Sequence, residues 1–454
     1  MAKNDETRDD SSRAADPQRR PRPGIIAIVM AGEPAVLALE VGLIGVEVGR
    51  GTPAGLLEED DRVSRKHVRI RRTKGEWLIT DLESRNGTFV DGVQLTAEET
   101  FDGEPLIRIG RSLLWAVEDI ASFRDLKGRQ ANDNGPVLGG RLQNAWAEIA
   151  LASRSGSTLY VRGESGAGKE LAARAFHEAR FGINSKAPFV AVNCAAIPEG
   201  LAERLLFGAQ RGAFSGANAD AEGYVQAAHK GTLFLDEIAE LDPLVQAKLL
   251  RVLESREVLP LGATKAKAVE IAVCVASHKS LRDEVARSRF REDLYFRLGC
   301  PEVQLPPLRE RLDELPWLIQ CELGLVDRQL SPSVTFIETC ALRAWPGNVR
   351  ELLHEVRRAA HRALAAASPD DQVTLVEPQH LSSEAGLVIV SVPGETPSGR
   401  PKPARPPTDE EIQKALDDNQ GNVRGTARVL GIHRNQLRRW LDKRSPVAGT
   451  SDPD

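Results

Sequence analysis

The sequence is poor in cysteine and lacks long apolar runs, and each absence excludes a class of protein. Its five cysteines among 454 residues are scattered and form no CxxC pair, so neither a disulfide framework nor a structural zinc site is expected. No run approaches the ~18 apolar residues that span a membrane. The first 24 residues also lack the apolar core of a signal peptide. We therefore expect a cytoplasmic chain with reduced, buried thiols and no membrane partner.

A strong excess of charge of either sign is also missing. The 60 Lys and Arg against 65 Asp and Glu leave a net charge of −5, which argues against a uniformly basic nucleic-acid coat. Such an average can still conceal a small basic module. The length predicts about three domains. Polar and proline-rich composition marks a disordered tail at 1–23 and a linker at 386–407, which leaves folded parts at 24–125, 138–385 and 408–445.

The three parts differ in their hydrophobic patterns. The first has short β-branched runs between Gly and Asp turns, which is typical of an all-β sandwich. The second alternates apolar strands with helices, as in a parallel α/β sheet, and from Glu310 to about Ala367 its pattern is helical only. The third is about forty residues of helix with glycine breaks. The fold class is therefore multidomain.

The strongest chemical motif lies between a strand, Thr158–Arg162, and a helix, Lys169–Arg180. Its GxxxxGK spacing is that of a P-loop, in which backbone N–H groups and a helix N-terminus hold phosphate oxygens. Lys169 is placed to reach the β- and γ-phosphates, although Glu170 stands where a magnesium-binding Ser or Thr is usual. ATP is the expected ligand. The residues expected to bind it are Gly163, Glu164, Ser165, Gly166, Ala167, Gly168, Lys169 and Glu170.

A second motif supplies the acids that an ATPase needs. The apolar segment Gly231–Leu235 is followed directly by Asp236 and Glu237. Asp236 is placed to hold Mg²⁺ through water, and Glu237 to polarise the attacking water. The two motifs together predict ATP hydrolysis with Mg²⁺ as cofactor.

From these residues a resemblance to a known family emerges over about Gly139–Leu364. The segments are similar to the AAA+ domain of bacterial enhancer-binding proteins, the ATPases that activate RNA polymerase carrying sigma-54. In that family Glu follows the P-loop lysine, so Glu170 conforms. The resemblance implies an α/β P-loop domain with a helical lid. The segments that carry it are GESGAGKEL, VAVNCA, GAFSGA, GTLFLDEI, FREDLYFRL and WPGNVREL.

The resemblance also implies roles for residues outside the P-loop. Asn193 matches a switch that pairs with the catalytic glutamate, and Ser277-His278 replaces the usual Thr-Asn of sensor I. Two arginines match fingers that act on the neighbouring subunit's nucleotide, so hydrolysis should require self-association from dimers into a ring, expected to be a hexamer. A third matches sensor II. These arginines are, in order, Arg291, Arg297 and Arg350.

The GAFSGA loop implies the partner of the ring. By resemblance Phe214 and Ser215 contact sigma-54 when ATP raises the loop, which makes sigma-54 RNA polymerase a partner. Ser215 stands where Thr is usual, and Leu205, Ala209 and Gln210 stand where Glu, His and Glu are common. Together with His278, these departures leave promoter opening less certain than ATP hydrolysis.

A small basic module of the kind that a near-neutral average can conceal lies near the C-terminus. Gly421–Arg444 carries seven basic residues and one acid, in a pattern of helix, turn and helix. It resembles the Fis-type helix-turn-helix domain, which implies binding to upstream enhancer DNA. A module of about forty residues has little core, so we expect it to pair with a second copy. The alternative is a solvated basic helix. The candidate DNA contacts are His433, Arg434, Asn435 and Arg438.

The first part resembles a forkhead-associated (FHA) domain, over residues 24–119. Arg50 and Ser64 would hold the phosphate of a phosphothreonine protein or peptide, Arg65 would add charge, and Asn86 would bond the peptide backbone. His67 is expected to brace the loop. A degenerate FHA scaffold without ligand is the alternative. No acidic cluster marks a phospho-acceptor, so control by a Ser/Thr kinase is favoured over a histidine kinase.

Two functions remain open at this stage. The first is a phosphothreonine-responsive ATPase ring that binds upstream DNA and remodels sigma-54 polymerase to open promoters. The second is a DNA-bound, phospho-responsive repressor or scaffold whose ATPase no longer opens promoters.

Overall fold

The computed structural model describes residues 21–51, 57–124, 126, 137–198, 200–213, 219–367, 372–388, 409–418 and 426. The chain divides into two compact units, residues 1–133 and 134–454. None of the described helices combines the length and the hydrophobicity that a membrane-spanning helix requires. The predicted tail up to residue 20 and all but the start of the predicted linker lie outside the described residues, as do the candidate DNA contacts.

The first unit consists of antiparallel strands in two sheets, which confirms the all-β prediction. One sheet has the order β2-β1-β10-β9-β6-β7 and the other β3-β4-β5-β8. The strands are β1 (Gly24–Met30), β2 (Glu33–Glu40), β3 (Val46–Val48), β4 (Val68–Thr73), β5 (Glu76–Asp81), β6 (Thr88–Val90), β7 (Val93–Gln94), β8 (Glu99–Phe101), β9 (Leu106–Ile109) and β10 (Ser112–Val117).

The core of this unit follows from strand periodicity. In β5, Trp77 and Ile79 are fully buried while the intervening Leu78 is partly exposed, because successive side chains point to opposite faces. The indole Nε1 of Trp77 donates to the carbonyl of Gly103, so its one polar atom is satisfied. Central strand β10 is buried throughout. The predicted phosphopeptide residues lie on the loop between β3 and β4 and on the loop before β6.

The second unit begins with a parallel α/β domain, as the alternating pattern predicts. Its five-stranded sheet has the order β12-β13-β16-β11-β17. The elements are α1 (Gly140–Ser155), β11 (Thr158–Arg162), α2 (Lys169–Phe181), β12 (Phe189–Asn193), α3 (Ala202–Phe207), α4 (Tyr224–Ala227), β13 (Gly231–Asp236), α5 (Pro243–Ser255), β14 (Glu257–Val258), β15 (Lys267–Ala268), β16 (Ile271–Ser277), α6 (Leu281–Ala286), α7 (Glu292–Leu298) and β17 (Glu302–Gln304).

The topology brings the chemical motifs together. The three central strands of this sheet are buried, with Leu233, Val161 and Val275 fully covered. The strands are parallel, so their carboxyl ends lie at one edge of the sheet. This edge carries the P-loop after β11, the two acids at the end of β13 and the last residues of β16. Ligands of open α/β sheets bind at this carboxyl edge.

The lid that follows is not helical only, so that prediction is wrong. It contains α8 (Leu315–Val326), α9 (Val334–Ala341) and α10 (Asn348–Ala366), but β18 (Leu330–Pro332) pairs in parallel with β19 (Thr374–Val376). A ladder of three residues is too short to show a period-two pattern. The described part of the predicted DNA-binding region is α11 (Asp409–Asp418) with Thr426.

The cysteines depart from the expectation of burial. Cys194, Cys274 and Cys340 are buried, but Cys300 and Cys321 are exposed. Burial raises the pKa of the Cys194 thiol to about 12, so it stays protonated at neutral pH. The expectation that all five serve as small buried hydrophobes is therefore wrong for two of them.

Candidate nucleotide and phosphopeptide sites

The P-loop has the backbone conformation that its glycines permit. Gly166 and Gly168 have φ angles of +73° and +105°, in the left-handed region that favours glycine. A Cβ at Gly166 would lie 2.1 Å from the carbonyl oxygen of Gly347, at the start of the lid helix α10. Glycine is therefore needed at this position both for conformation and for the close approach of the lid.

Lys169 is buried in the pocket that this loop forms, with 7% of its side chain exposed. Its Nζ donates to the carbonyls of Gly163 and Glu164 at 3.1 and 3.4 Å and to Oε1 of Glu237 at 3.1 Å. All three ammonium protons thus have acceptors. An incoming phosphate would have to replace at least one of them.

Glu237 is held from two sides. Its φ of 52° is left-handed, directly after β13, which is the kind of strained backbone often found at functional sites. While Oε1 accepts from Lys169, Oε2 accepts from the backbone N–H of His278 at 3.2 Å and from its Nδ1 at 2.6 Å. Burial alone would raise the pKa of Glu237, but these hydrogen bonds outweigh it and lower the pKa. The carboxylate is therefore ionised and oriented.

Asp236, at the end of β13, has the opposite electrostatic balance. Burial raises the pKa of its carboxyl, and the Lys169 ammonium only partly offsets this. Its Oδ1 accepts the backbone N–H of Glu237 at 3.1 Å. A carboxylate at this edge, beside a phosphate-binding loop, is the oxygen donor that hydrated Mg²⁺ prefers, so the residues present fit that cofactor.

The predicted switch residue Asn193 and the predicted sensor residue Ser277 end the two strands that flank β13, and they have different partners. Asn193 lies level with Asp236 in the sheet, and its Oδ1 accepts from the N–H of Ala195 at 3.0 Å, as a cap of the following turn. Ser277 is fully buried, and its Oγ accepts from the N–H of Lys279 at 3.0 Å. The switch role of Asn193 stays a prediction, since its side chain bonds to Ala195 while Glu237 is bonded to His278.

The lid contributes contacts to the P-loop that the sequence alone did not indicate. The buried Asn348 donates to Oε2 of Glu164 and to the carbonyl of Ser165, both at 3.0 Å. Arg309 forms a bidentate pair with Glu164 at 2.9 and 2.7 Å. Of the predicted lid residues, Arg350 places Nη1 3.4 Å from Oγ of Ser165. Polar side chains of the lid therefore reach the nucleotide loop directly.

The predicted arginine fingers lie on the exposed surface around α7. Arg291 precedes the helix and pairs with Asp293 at 2.7 Å, and Arg297 donates to the carbonyl of Leu253 at 3.1 Å. Glu170, at the start of α2, is exposed and pairs with Arg174 at 2.8 Å. The exposure of the fingers is compatible with an action on a neighbouring subunit, which stays a prediction.

The predicted phosphopeptide residues come together on loops at one end of the β sandwich. Nε of Arg50 donates to the carbonyl of Val63 at 2.6 Å, and Oγ of Ser64 accepts from the N–H of Arg85 at 3.1 Å. The loop before β4, which carries the exposed Arg65, is tied to Asn86, whose Nδ2 donates to the carbonyl of Arg62 at 2.7 Å.

His67 braces these loops from inside, as expected. It is fully buried, its Nδ1 accepts from the N–H of Ser64 at 3.0 Å, and its Nε2 lies 3.2 Å from the carbonyl of Gly87. The first contact requires an unprotonated Nδ1, so Nε2 carries the proton. Burial lowers the pKa of His67, which keeps the ring neutral.

Two groups of predicted site residues lie outside the described residues. They are the sigma-54 contacts, Phe214 and Ser215, and the DNA contacts, His433, Arg434, Asn435 and Arg438.

Comparison with known proteins matches each part of the chain to a family. Residues 139–304 match the Sigma-54 interaction domain, residues 46–112 the FHA domain, and residues 409–443 the bacterial regulatory proteins of the Fis family. The chain is thus a multidomain transcriptional regulator with a β-rich FHA domain, an AAA+ domain and a helix-turn-helix domain.

Two curated relatives and one solved structure show how far the similarity extends. The DNA-binding transcriptional regulator NtrC of Bradyrhizobium is 37% identical over 75% of this chain and 76% of its own length. The Nif-specific regulatory protein of Herbaspirillum seropedicae is 34% identical over 70% of this chain and 63% of its own length. A crystal structure of NtrX from Brucella abortus in complex with ATP is 27% identical, covers 68% of this chain and 69% of that chain, and has a TM-score of 0.49.

The extent of the match to NtrC places the chain in a family. It belongs to the sigma-54-dependent transcriptional regulators. The chain spans less than two thirds of the length of the Nif-specific regulatory protein.

Proposed function

We propose that this protein hydrolyses ATP in a ring of its own copies and uses the energy to remodel sigma-54 RNA polymerase at promoters. The observation that carries the hydrolysis is the contact between Lys169 of the P-loop and Glu237 beyond β13. It joins a phosphate-binding cation to a carboxylate that can polarise water, at the carboxyl edge of a parallel sheet.

The contacts around Glu237 support an order of events on ATP binding. The β- and γ-phosphates compete with Oε1 of Glu237 for the Lys169 ammonium, because all its protons are already bonded. Glu237 is thereby left with Oε1 facing the pocket, while its Oε2 stays on His278. The released oxygen accepts a proton from water as that water attacks the γ-phosphorus and the bond to the bridging oxygen of ADP breaks.

Other side chains bind and complete the site. Asp236 would hold Mg²⁺ through water, and the cation, when bound, neutralises charge on the phosphate oxygens. Arg350 lies over the P-loop from the lid. Arg291 and Arg297 are exposed and would reach a neighbouring subunit's nucleotide, for which Arg291 must leave Asp293. Hydrolysis therefore needs assembly.

The other two domains would bind a phosphorylated partner and DNA, respectively. The exposed Arg50 and Arg65, with Ser64, would bind the phosphate of a phosphothreonine protein or peptide, and Asn86 its backbone. The basic Fis-type segment would bind upstream enhancer DNA, with Phe214 and Ser215 contacting sigma-54. Such a regulator acts in the cytoplasm.

The dependence of ATP turnover on protein concentration tests the proposal at its catalytic step. Turnover per chain should rise steeply with concentration in the wild type. The Arg297→Ala protein should bind ATP but hydrolyse it poorly, while Arg251→Ala, an exposed arginine on α5, should behave as wild type. Turnover that is independent of concentration and insensitive to Arg297→Ala would contradict a ring with shared sites.

A further inference from the structure

A buried network connects the start of the ATPase domain to the P-loop. Gly139 and Gly140, where the chain from the FHA domain reaches α1, donate their backbone N–H groups to carboxylates that precede α8. Gly139 donates to Oε1 of Glu314 at 2.9 Å and Gly140 to Oδ2 of Asp313 at 2.8 Å. The first N–H groups of a helix have no partners inside it, so these acids act as its cap.

The network continues beyond what a helix cap needs. Nη1 of Arg311 donates to Oε2 of Glu314 at 3.0 Å, and its Nη2 donates to the carbonyl of Ala167 at 2.8 Å. Ala167 lies in the P-loop between Gly166 and Gly168. Two side chains therefore join the backbone of Gly139 to the backbone of the nucleotide loop.

The charged side chains of the network are buried, and burying them is energetically costly. The side chains of Arg311 and Glu314 are 2% and 1% exposed. Nε of Arg311 and Oδ1 of Asp313 have no hydrogen-bond partner among the described residues. A buried ion pair of this kind adds little net stability, because desolvation offsets the attraction. A contribution to stability alone therefore explains this buried ion pair poorly.

The glycine at the start of the network is sterically required. A Cβ at Gly139 would lie 2.3 Å from Oδ2 of Asp313 and 2.7 Å from Cγ of Glu314. A shift of the chain at Gly139 must therefore displace the two acids, and through Glu314 the guanidinium that holds Ala167.

We propose that Arg311 is a positioning residue for the P-loop and that, with Glu314, it couples the backbone at Gly139 to the affinity for nucleotide. We call the set Gly139, Glu314, Arg311 and Ala167 the Gly139 relay. The inference rests on the proposed function, since it concerns how the FHA side of the chain reaches the ATP site. Through this relay, displacement of the chain at Gly139 alters the loop that binds phosphate.

The test is to disturb the relay at the end away from the nucleotide and to measure nucleotide binding. The full chain carrying Gly139→Ala is titrated with ATP bearing a fluorescent methylanthraniloyl group, and its dissociation constant is compared with that of wild type. We expect binding about fivefold weaker, the scale of a small misplacement of the phosphate-binding groups. Saturating turnover should change less than affinity.

Two controls separate the relay from a loss of stability. Gly156→Ala lies at the other end of α1, where an added Cβ has only the nitrogen of Thr158 at 4.0 Å, and it should leave affinity unchanged. Arg357→Lys weakens a pair with the buried Glu322 inside the lid and should lower the unfolding temperature without changing affinity. Equal weakening of binding in Arg357→Lys would overturn the relay.

The remaining outcomes also decide the matter. A folded Gly139→Ala protein with wild-type affinity overturns the relay while leaving the proposed function intact. Failure of the wild type itself to bind the analogue would instead contradict the proposed function. If Gly139→Ala does not fold, Glu314→Gln replaces it, because it keeps the volume and removes one acceptor. Weaker binding then supports the relay, and unchanged affinity overturns it.

Discussion

The two loop regions for which we propose phosphate binding, one in the ATPase domain and one in the FHA domain, differ in how their cationic side chains are held. In the ATPase domain Lys169 is 7% exposed and paired with Glu237. In the FHA domain Arg50 and Arg65 are exposed, and among the described residues no carboxylate forms an ion pair with either. The FHA loops are braced by a neutral, buried His67.

This difference predicts how each loop responds to its ligand. In the proposed mechanism an incoming phosphate displaces the Glu237 carboxylate from Lys169, and that displacement also frees the group that polarises water. Binding and catalysis are therefore linked by one ion pair. At the FHA loops Arg50 and Arg65 have no carboxylate to release in the described part of the chain, so a bound phosphate would displace no ion pair and the full binding energy would contribute to affinity.

The largest expected effect is on ATP turnover in the ATPase domain. Glu237→Gln keeps the shape of the side chain but removes its charge and its ability to accept a proton. Turnover should fall by at least about 100-fold while ATP binding persists or tightens, since Lys169 loses its competing carboxylate. The control is Glu240→Gln, an acid on the next turn that pairs with Lys279. Retained turnover in Glu237→Gln would remove Glu237 from catalysis.

The next effect concerns affinity at the exposed loop. Arg50→Ala should weaken binding of phosphothreonine peptides to the full chain by roughly 10- to 100-fold, the scale of a lost hydrogen bond to a charged group. Arg69→Ala, on β4 and paired with Glu47, is the matched control and should change little. Titration calorimetry gives the comparison. Peptide binding that is unchanged in Arg50→Ala would show that the phosphate binds elsewhere.

A smaller effect is expected at the partner of Glu237. His278→Leu removes the side-chain hydrogen bond to Oε2 and should lower turnover about tenfold with little change in the KM for ATP. His278→Asn can place an amide donor where Nδ1 lies and should restore most of the rate. Equal rates in His278→Leu and wild type would show that His278 does not orient the glutamate.

The smallest expected effect is a pH dependence of the stability of the FHA domain, caused by His67, which braces its loops. Burial lowers the pKa of His67 in the folded state below its ordinary value of 6.5. The folded domain therefore binds fewer protons than the unfolded chain, and this stability is present above pH 6.5 and lost as pH falls towards the folded pKa. Between pH 7 and 5 the melting temperature should fall by roughly a few degrees more than in His67→Gln. Parallel curves for both proteins would contradict the neutral brace.

The sequence predicted the fold class and the main motifs because each depends on local spacing. The P-loop, the acids after β13 and the FHA triplets lie within short segments whose residue types suffice to recognise them. The contacts of Arg309 and Asn348 with Glu164 join residues 145 and 184 positions apart, so only the folded chain shows them. Arg311 gave no signal either, because nothing in its local sequence indicates full burial.

The position of His278 shows the limit of reading a site from family resemblance. The pattern at sensor I differs from the family, and this departure was visible in the sequence. That its imidazole bonds to Glu237, while Asn193 caps a turn, depends on where β12, β13 and β16 end relative to one another in the sheet. Such placement at the level of single side chains is a tertiary property.

Promoter opening by sigma-54 RNA polymerase is the measurement that tests the account most directly. Upstream DNA, polymerase and ATP are combined with the wild type, with Glu237→Gln and with Phe214→Ala. The account predicts open complexes with the wild type only, although Phe214→Ala should still hydrolyse ATP. Steady ATP turnover by the wild type without open complexes would contradict it and favour a DNA-bound, phospho-responsive repressor or scaffold.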